Sequence, residues 1–261
     1  MNAIDLIYEK RDGVAFIAIN RPERRNALGD ATTRQIVEVC EDAAADTAIR
    51  AVAITGSGDD AFCSGGDLQD TFQRGAGNTE QQWSDRIRQG PNLLAQVLQN
   101  MPKPVVASIN GVAVGGGATI ALACDLRIAS DNARFCFPFV RVGITPEFGC
   151  SYLLQRTVGL GRANELLMLG EFVDAATAER YGLLNRVVPK AELANATQEL
   201  LARLVALPAA ALSRIKALQR FAQTADLPST LEQEAVSLGA SFISPEHREA
   251  VSRFLDRKSS R

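Results

Sequence analysis

The sequence predicts an α/β fold that gives way to helices alone in its last quarter. Three observations predict it. Short β-branched runs alternate with apolar-periodic, helical stretches through the first three-quarters of the chain. Glycine-rich turns, Ser64-Gly65-Gly66 and Gly115-Gly116-Gly117, stand after two of those runs. From Glu192 onward the composition becomes Ala/Leu-rich and carries no strand pattern. That shift is the one candidate boundary, dividing residues 1–190 from 191–261.

Taken in order, residues 14–19 alternate large and small apolar side chains as a half-buried strand does, and Arg21-Pro22 ends it. Residues 30–45 read as a helix with Ile36, Val37 and Val39 inward and Asp30 as its N-cap. A strand over 51–55 leads to the first glycine turn. Residues 69–82 are polar and show little periodicity, which leaves a mobile loop over a site or a solvated connection. A helix over 87–98 is broken by Met101-Pro102-Lys103-Pro104, and Val105 to Ile109 is a buried strand. After the triple glycine come a helix, strands near 126–129 and 133–137, and helices near 149–157, 162–169 and 175–181. Arg186 to Val188 is a late strand, and Pro208 and Ser244-Pro245-Glu246 mark helix starts.

Bulk properties exclude several function classes. At 261 residues, with 46% apolar and 22% charged, the chain reads as soluble and globular, near the upper size of one core. A net charge of −2 offers no attraction for nucleic acid or a membrane surface. The first ten residues alternate polar and apolar and hold Asp5 and Glu9, unlike a signal peptide. Five scattered cysteines without metal spacing read as reduced, buried residues, so a cytoplasmic location is expected, and Ser259-Ser260-Arg261 is not a peroxisomal address. His247 is the sole histidine, in a polar helix start. That argues against a Ser-His-Asp hydrolase and a zinc site; no G-x-S-x-G occurs either.

Three consecutive glycines carry an entropic cost that close approach of backbone amides to a ligand would explain. At a helix start those amides lack partners, and the dipole favours negative charge. A tight turn without a ligand fits the pattern equally. The spacing matches neither G-x-G-x-x-G nor a Walker loop. Two such turns, each ending a strand, could aim one amide apiece at a single oxygen as an oxyanion hole.

Asn20-Arg21-Pro22 with Asn26-Ala27-Leu28, then Ala61 to Leu68, then Asn110 to Asp125, resemble in order the signature segments of the crotonase (enoyl-CoA hydratase/isomerase) superfamily. The resemblance implies a ββα spiral followed by a helical C-terminal region that forms trimers, commonly paired into hexamers. It implies an acyl-CoA thioester as substrate, with coenzyme A part of that substrate and no separate cofactor. Gly66 and Gly116 would donate to the thioester oxygen, with Ala61, Cys63, Ser64, Gly65, Asp67, Leu68 and Gly115 around them. Arg24 and Arg25, and Phe254 and Arg257 in the aromatic-plus-basic tail, would contact the nucleotide end; solvated surface side chains are the equal alternative. Asp67 and Asp125 also suit turn-fixing through backbone hydrogen bonds.

The two glutamates of the hydratases that this chain resembles fall at Thr119 and Phe139, neither of which can serve as a base. Glu147 lies close by. By pattern alone, Thr145 as N-cap, Pro146 at the first position and Glu147 in the first turn make a helix start. Yet Pro138-Phe139, Gly143, Pro146-Glu147, Gly149 and Ser151 look like the run in peroxisomal-type 3-enoyl-CoA to 2-enoyl-CoA isomerases, where the acid at the Glu147 position is the single base; within the same resemblance, a hydratase-like or ring-acyl-CoA isomerase activity, or acyl-CoA binding without turnover, stands as the alternative. Phe139, Phe148 and Ile144 would then line the acyl pocket and raise the Glu147 pKa.

Overall fold

The computed structural model describes residues 5–259, apart from the side chains of Phe72, Arg74 and residues 257–259. The chain begins with a hairpin of β1 (Leu6–Arg11) and β2 (Val14–Ile19), whose two-residue turn Asp12-Gly13 has φ of 51° and 75°. Positive φ at both positions matches the twist of the flanking strands, and Asp-Gly accepts it. Then follow α1 (Asp30–Ala45), β3 (Ala51–Gly56), β4 (Ala61–Cys63), α2 (Leu68–Gly75), α3 (Glu80–Ile87) and α4 (Leu93–Asn100). The middle of the chain holds β5 (Val105–Ile109), β6 (Val112–Val114), α5 (Gly116–Ala123), β7 (Leu126–Ser130), β8 (Arg134–Cys136), α6 (Cys150–Val158) and α7 (Leu160–Leu169). It continues through β9 (Val173–Asp174), α8 (Ala175–Arg180) and β10 (Arg186–Val188) into α9 (Leu193–Val205), α10 (Ala209–Ala222), α11 (Leu227–Phe242) and α12 (Pro245–Ser259).

Three times over, a long strand enters one sheet, a short strand enters a second, and helix follows: β3-β4, β5-β6 and β7-β8. This is the expected ββα spiral. The six-stranded sheet runs β1-β2-β3-β5-β7-β10, parallel beyond the first hairpin, and the four-stranded sheet runs β4-β6-β8-β9. Both faces of the parallel sheet are covered, which is why β5, VVASI, is buried at every position. One face packs on the main core with Ile36, Leu94, Leu98 and Ile120; the other packs on α9 through Leu193, Ala196 and Leu201.

Several expectations are corrected. Residues 69–82 are neither loop nor plain connection: Asp67 caps α2 by accepting from the Asp70 amide at 3.2 Å, and Thr79 with Gln82 forms a capping box on α3. Helix signals in so short a polar stretch lie in the caps, not in periodicity. The helix expected from residue 87 starts earlier, because α3 runs through a π-helical turn, Arg88–Asn92, that accommodates Pro91 before α4. Gly29, not Asp30, is the N-cap of α1, leaving the Asp30 carboxylate in the first turn to pair with Arg86 at 2.9 Å. Val39 is only half-buried, and Pro208 is the cap residue before α10. All five cysteines are free and buried. Among the described residues, no helix is long and apolar enough to cross a membrane.

Candidate active site

β4 and β6 pair in parallel, Ala61 opposite Val112 and Cys63 opposite Ala113, so the turns that follow them come together. Gly65, at φ 88°, lies so close that a Cβ there would fall 2.7 Å from the Val114 carbonyl oxygen and 3.5 Å from the Gly116 nitrogen. A Cβ on Gly117 would fall 2.3 Å from the Cys63 carbonyl oxygen. Glycine is required at both positions by this backbone-on-backbone contact. Gly115 adopts φ 52° and ψ −120°, outside the range of other residues, and its amide donates to the Cys136 carbonyl at 2.9 Å.

Two amides are left over. Leu28 forms a parallel bridge to Gly66 by donating to the Gly65 carbonyl at 2.8 Å and accepting from the Asp67 amide at 2.9 Å. The N–H of Gly66 itself faces away from that bridge. Gly116 opens α5, so its N–H has no partner inside the helix. Among the described residues neither amide makes a hydrogen bond. Two free donors on adjoining turns, one at a helix N-terminus, suit a developing oxyanion.

Glu147 stands beside them: a Cβ built on Gly116 would be 3.2 Å from its Oε1. The helix start proposed for Thr145, Pro146 and Glu147 does not form. α6 begins at Cys150 after Gly149, and Thr145 is exposed. Instead Glu147 to Cys150 is a tight turn, closed by the Cys150 amide on the Glu147 carbonyl at 2.9 Å, with φ of 54° at Phe148 and 78° at Gly149. Positive φ at both central residues defines a type I′ turn. In an aromatic residue that conformation costs about 1–3 kcal/mol. The turn directs Glu147 inward, where it is half-buried, and burial pushes its carboxyl above the ordinary carboxylate value. The Cys63 thiol, pushed up to about 12, and the Cys150 thiol, pushed up to about 11, owe this first to burial and further to the nearby Glu147 charge. Both are neutral at physiological pH and cannot compete as nucleophiles.

Thr119 and Phe139, where the resemblance puts the hydratase glutamates, are both packed into the structure. Thr119 is wholly buried and its hydroxyl donates to the Gly115 carbonyl at 3.1 Å. Phe139 is buried with its ring edge against Gly115, and Phe148 is buried against Gly116. Ile144, expected beside them, is 52% exposed, and its amide donates to the Phe139 carbonyl.

A groove leads away from Gly66, lined by Arg24, Ala27, Asp67, Leu68 and Gln69. Arg24 does not point free into it: its guanidinium meets the Asp67 carboxylate at 2.7 Å, joined by Arg21 at 3.1 Å. Burial works against the Asp67 charge, but the Asp70 amide and the two arginines outweigh it and hold the carboxyl below the usual range. Arg25 is exposed at the end of a 3-10 turn, with φ 51°, and its carbonyl accepts from the Ser64 amide at 3.0 Å. Ala61 and Cys63 are buried walls of β4. Phe254, on α12, is 68% exposed and lies outside the groove lining, and the Arg257 side chain is outside the described residues. Asp125 accepts from the Val105 amide and from Lys216, both at 2.7 Å, tying α10 to the sheet. His247 is half-buried with Phe242 edge-on to it.

Sequence reasoning missed the roles of two asparagines that hold the connection from β3 to β4, ahead of the first glycine turn. Buried Asn26, at φ 57°, donates to the Ser57 and Ala61 carbonyls and accepts from the Arg21 amide. Asn110 donates to the Gly56 and Gly58 carbonyls. The available signal was asparagine's tolerance of left-handed backbone and its turn-like hydrogen bonding.

Comparison with known proteins bears on this arrangement. The short-chain-enoyl-CoA hydratase of Clostridium acetobutylicum is 34% identical over 258 residues, 99% of this chain and 97% of that protein. The 1,2-epoxyphenylacetyl-CoA isomerase of Escherichia coli is 35% identical over 247 residues, 95% of this chain and 94% of that protein. The crystal structure of an enoyl-CoA hydratase from Bacillus anthracis superposes with a TM-score of 0.91 at 28% identity, covering 97% of each chain. The sequence profile described as Enoyl-CoA hydratase/isomerase matches residues 9–261. With this coverage, and with paired glycine turns at the head of α5 in a ββα spiral, the chain belongs to the enoyl-CoA hydratase/isomerase, or crotonase, family.

Proposed function

We propose that this protein converts 3-enoyl-CoA to 2-enoyl-CoA thioesters, with Glu147 as the single acid–base group. One observation carries the reading: Glu147 is a carboxylate raised by burial, set beside the free Gly116 amide, while the positions that the resemblance gives to the hydratase glutamates hold Thr119 and Phe139, neither of which can serve as a base. The Gly66 and Gly116 amides hold the thioester oxygen and make the C2 hydrogen acidic. Glu147 removes that hydrogen as a proton, the electron pair spreads over O, C2, C3 and C4, and protonated Glu147 returns the proton at C4. The double bond moves from C3–C4 to C2–C3 with nothing oxidised, reduced or consumed, so CoA enters only as part of the substrate.

In the same reading, Arg24 is the cation at the groove mouth for CoA phosphates, exchanging Asp67 for phosphate, with Arg25 and the tail around Phe254 and Arg257 as further contacts. Residues 1–190 form the catalytic spiral and residues 191–261 the assembling region. Leu231, Leu238 and Phe242, exposed on α11, support a homotrimer or a dimer of trimers. Relatives named as hydratases and as an epoxyphenylacetyl-CoA isomerase, at closely similar identity, favour a second reading: hydration, or isomerisation of a ring-bearing acyl-CoA, by Glu147 alone. Likeness to the peroxisomal-type isomerases rests on residues 138–151.

Incubation with 3-hexenoyl-CoA, crotonyl-CoA and a ring-bearing acyl-CoA, followed by mass and absorbance, separates these. The expected result is rapid formation of 2-hexenoyl-CoA without a gain of water. Fast hydration of crotonyl-CoA with no turnover of 3-hexenoyl-CoA would overturn the isomerase reading.

A further inference from the structure

A type I′ turn is built from residues that accept positive φ, chiefly glycine, asparagine and aspartate. The turn from Glu147 to Cys150 satisfies this at its second central position with Gly149, but puts a phenylalanine at the first, at φ 54°. A local choice that contradicts its own backbone needs a compensating contact, and such conflicts gather at functional sites. The contact is present. Phe148 is buried, and its ring edge rests on the Gly116 backbone so closely that a Cβ on Gly116 would lie 2.8 Å from Phe148 Cε2. The same phantom Cβ is 3.2 Å from Glu147 Oε1, so ring and carboxylate flank a single backbone position at the head of α5. Among the described residues no hydrogen bond or ion pair holds the Glu147 side chain. The turn closure and the packing of Phe148 are what remain to fix it.

We propose that Phe148 is the positioning residue for Glu147: its ring, wedged against Gly116, holds the left-handed turn that sets the carboxylate beside the oxyanion donors. This rests on the assignment of Glu147 as the base. The ring does two things. It fixes the Glu147 backbone against the N-terminus of α5, and it excludes water from one side of the carboxyl group. The other groups facing that carboxyl are the Cys63 thiol from β4 and the Cys150 thiol from α6, both neutral, with burial the only influence on its protonation. Loss of the ring therefore changes both the aim and the hydration of the base, without touching a charge.

Phe148→Asn tests this directly, because asparagine suits the left-handed backbone while deleting the ring. Initial rates of 3-hexenoyl-CoA isomerisation are measured across pH for the wild type, Phe148→Asn, Phe148→Leu and Glu147→Gln, with folding checked by circular dichroism. The expected result is kcat down by about tenfold or more with KM within about threefold, the pattern of a lost transition-state contact. The acid limb of kcat against pH should move to lower pH as water reaches Glu147. If the asparagine variant does not fold, Phe148→Leu must show the same changes in smaller measure. A folded variant with kcat within about twofold of wild type overturns the proposal, as does a loss of kcat matched by a rise in KM with the acid limb unmoved. Substantial turnover by Glu147→Gln would instead sink the assignment of the base. An inactive Glu147→Gln beside fully active Phe148 variants would leave that assignment standing and dismiss the positioning role alone.

Discussion

Glu147→Gln should abolish isomerisation while leaving the fold intact, and should not lower stability at neutral pH. The amide has nearly the same shape but cannot accept the C2 proton, a loss of about 10²–10⁴ in kcat. The pH dependence follows from the raised carboxyl. The base form exists only above that raised value, so the wild-type rate should fall as pH drops through it, at higher pH than for a free carboxylate. For stability the sign is opposite to that of a salt-bridged acid. A carboxyl whose folded pKa lies above its unfolded one contributes stability below the unfolded value, near ~4.3, and loses it as pH rises through the folded value. Ionised Glu147 is thus a net cost at pH 7, and glutamine removes it. Urea midpoints for the two proteins should favour the variant increasingly as pH rises from the ordinary carboxylate value through the raised one; a variant less stable than wild type above that range would contradict this placement of the carboxyl.

The oxyanion donors predict a second large effect, and Gly66 allows a clean comparison. A Cβ on Gly66 would meet nothing within 4 Å, so Gly66→Ala fits and keeps the N–H. Gly66→Pro removes that N–H, which the Leu28 bridge does not use. Loss of one oxyanion donor costs about 10²–10³ in rate. The proline variant should therefore lose that factor relative to alanine at matched folding, read as kcat/KM for 3-hexenoyl-CoA. Equal activity of the two would mean that the Gly66 amide does not hold the thioester oxygen.

How much was legible in the sequence depended on how local the determining physics is. β2, β3 and β5 are apolar runs with β-branched residues and were readable, as was the glycine-opened α5. β4 and β6 have three residues each and are strands because β4 pairs with β6 and β6 with β8, long-range facts that no short window contains. α2 and α3 hid because their signals are caps in a polar stretch. At the site, the two glycine turns were legible as turns, but the strands read before them, 51–55 and 105–109, are not the ones that deliver them: the short β4 and β6 do. The surroundings of Glu147 were not legible. Thr145-Pro146-Glu147 has every local mark of a helix start, and Gly149 overrides it by capping α6 four residues after Thr145. Arg24 shows the same limit: nothing local says that its guanidinium is held by Asp67, 43 positions on.

Deuterium placed at C2 of 3-hexenoyl-CoA tests most directly whether one carboxyl group carries a hydrogen from C2 to C4. Turnover in ordinary water, followed by NMR and mass spectrometry of the 2-hexenoyl-CoA formed, should place a substantial share of the label at C4, because the half-buried Glu147 holds it between the two carbons. A product whose new C4 hydrogen comes wholly from solvent, or one that has gained water at C3, would contradict the single-base account.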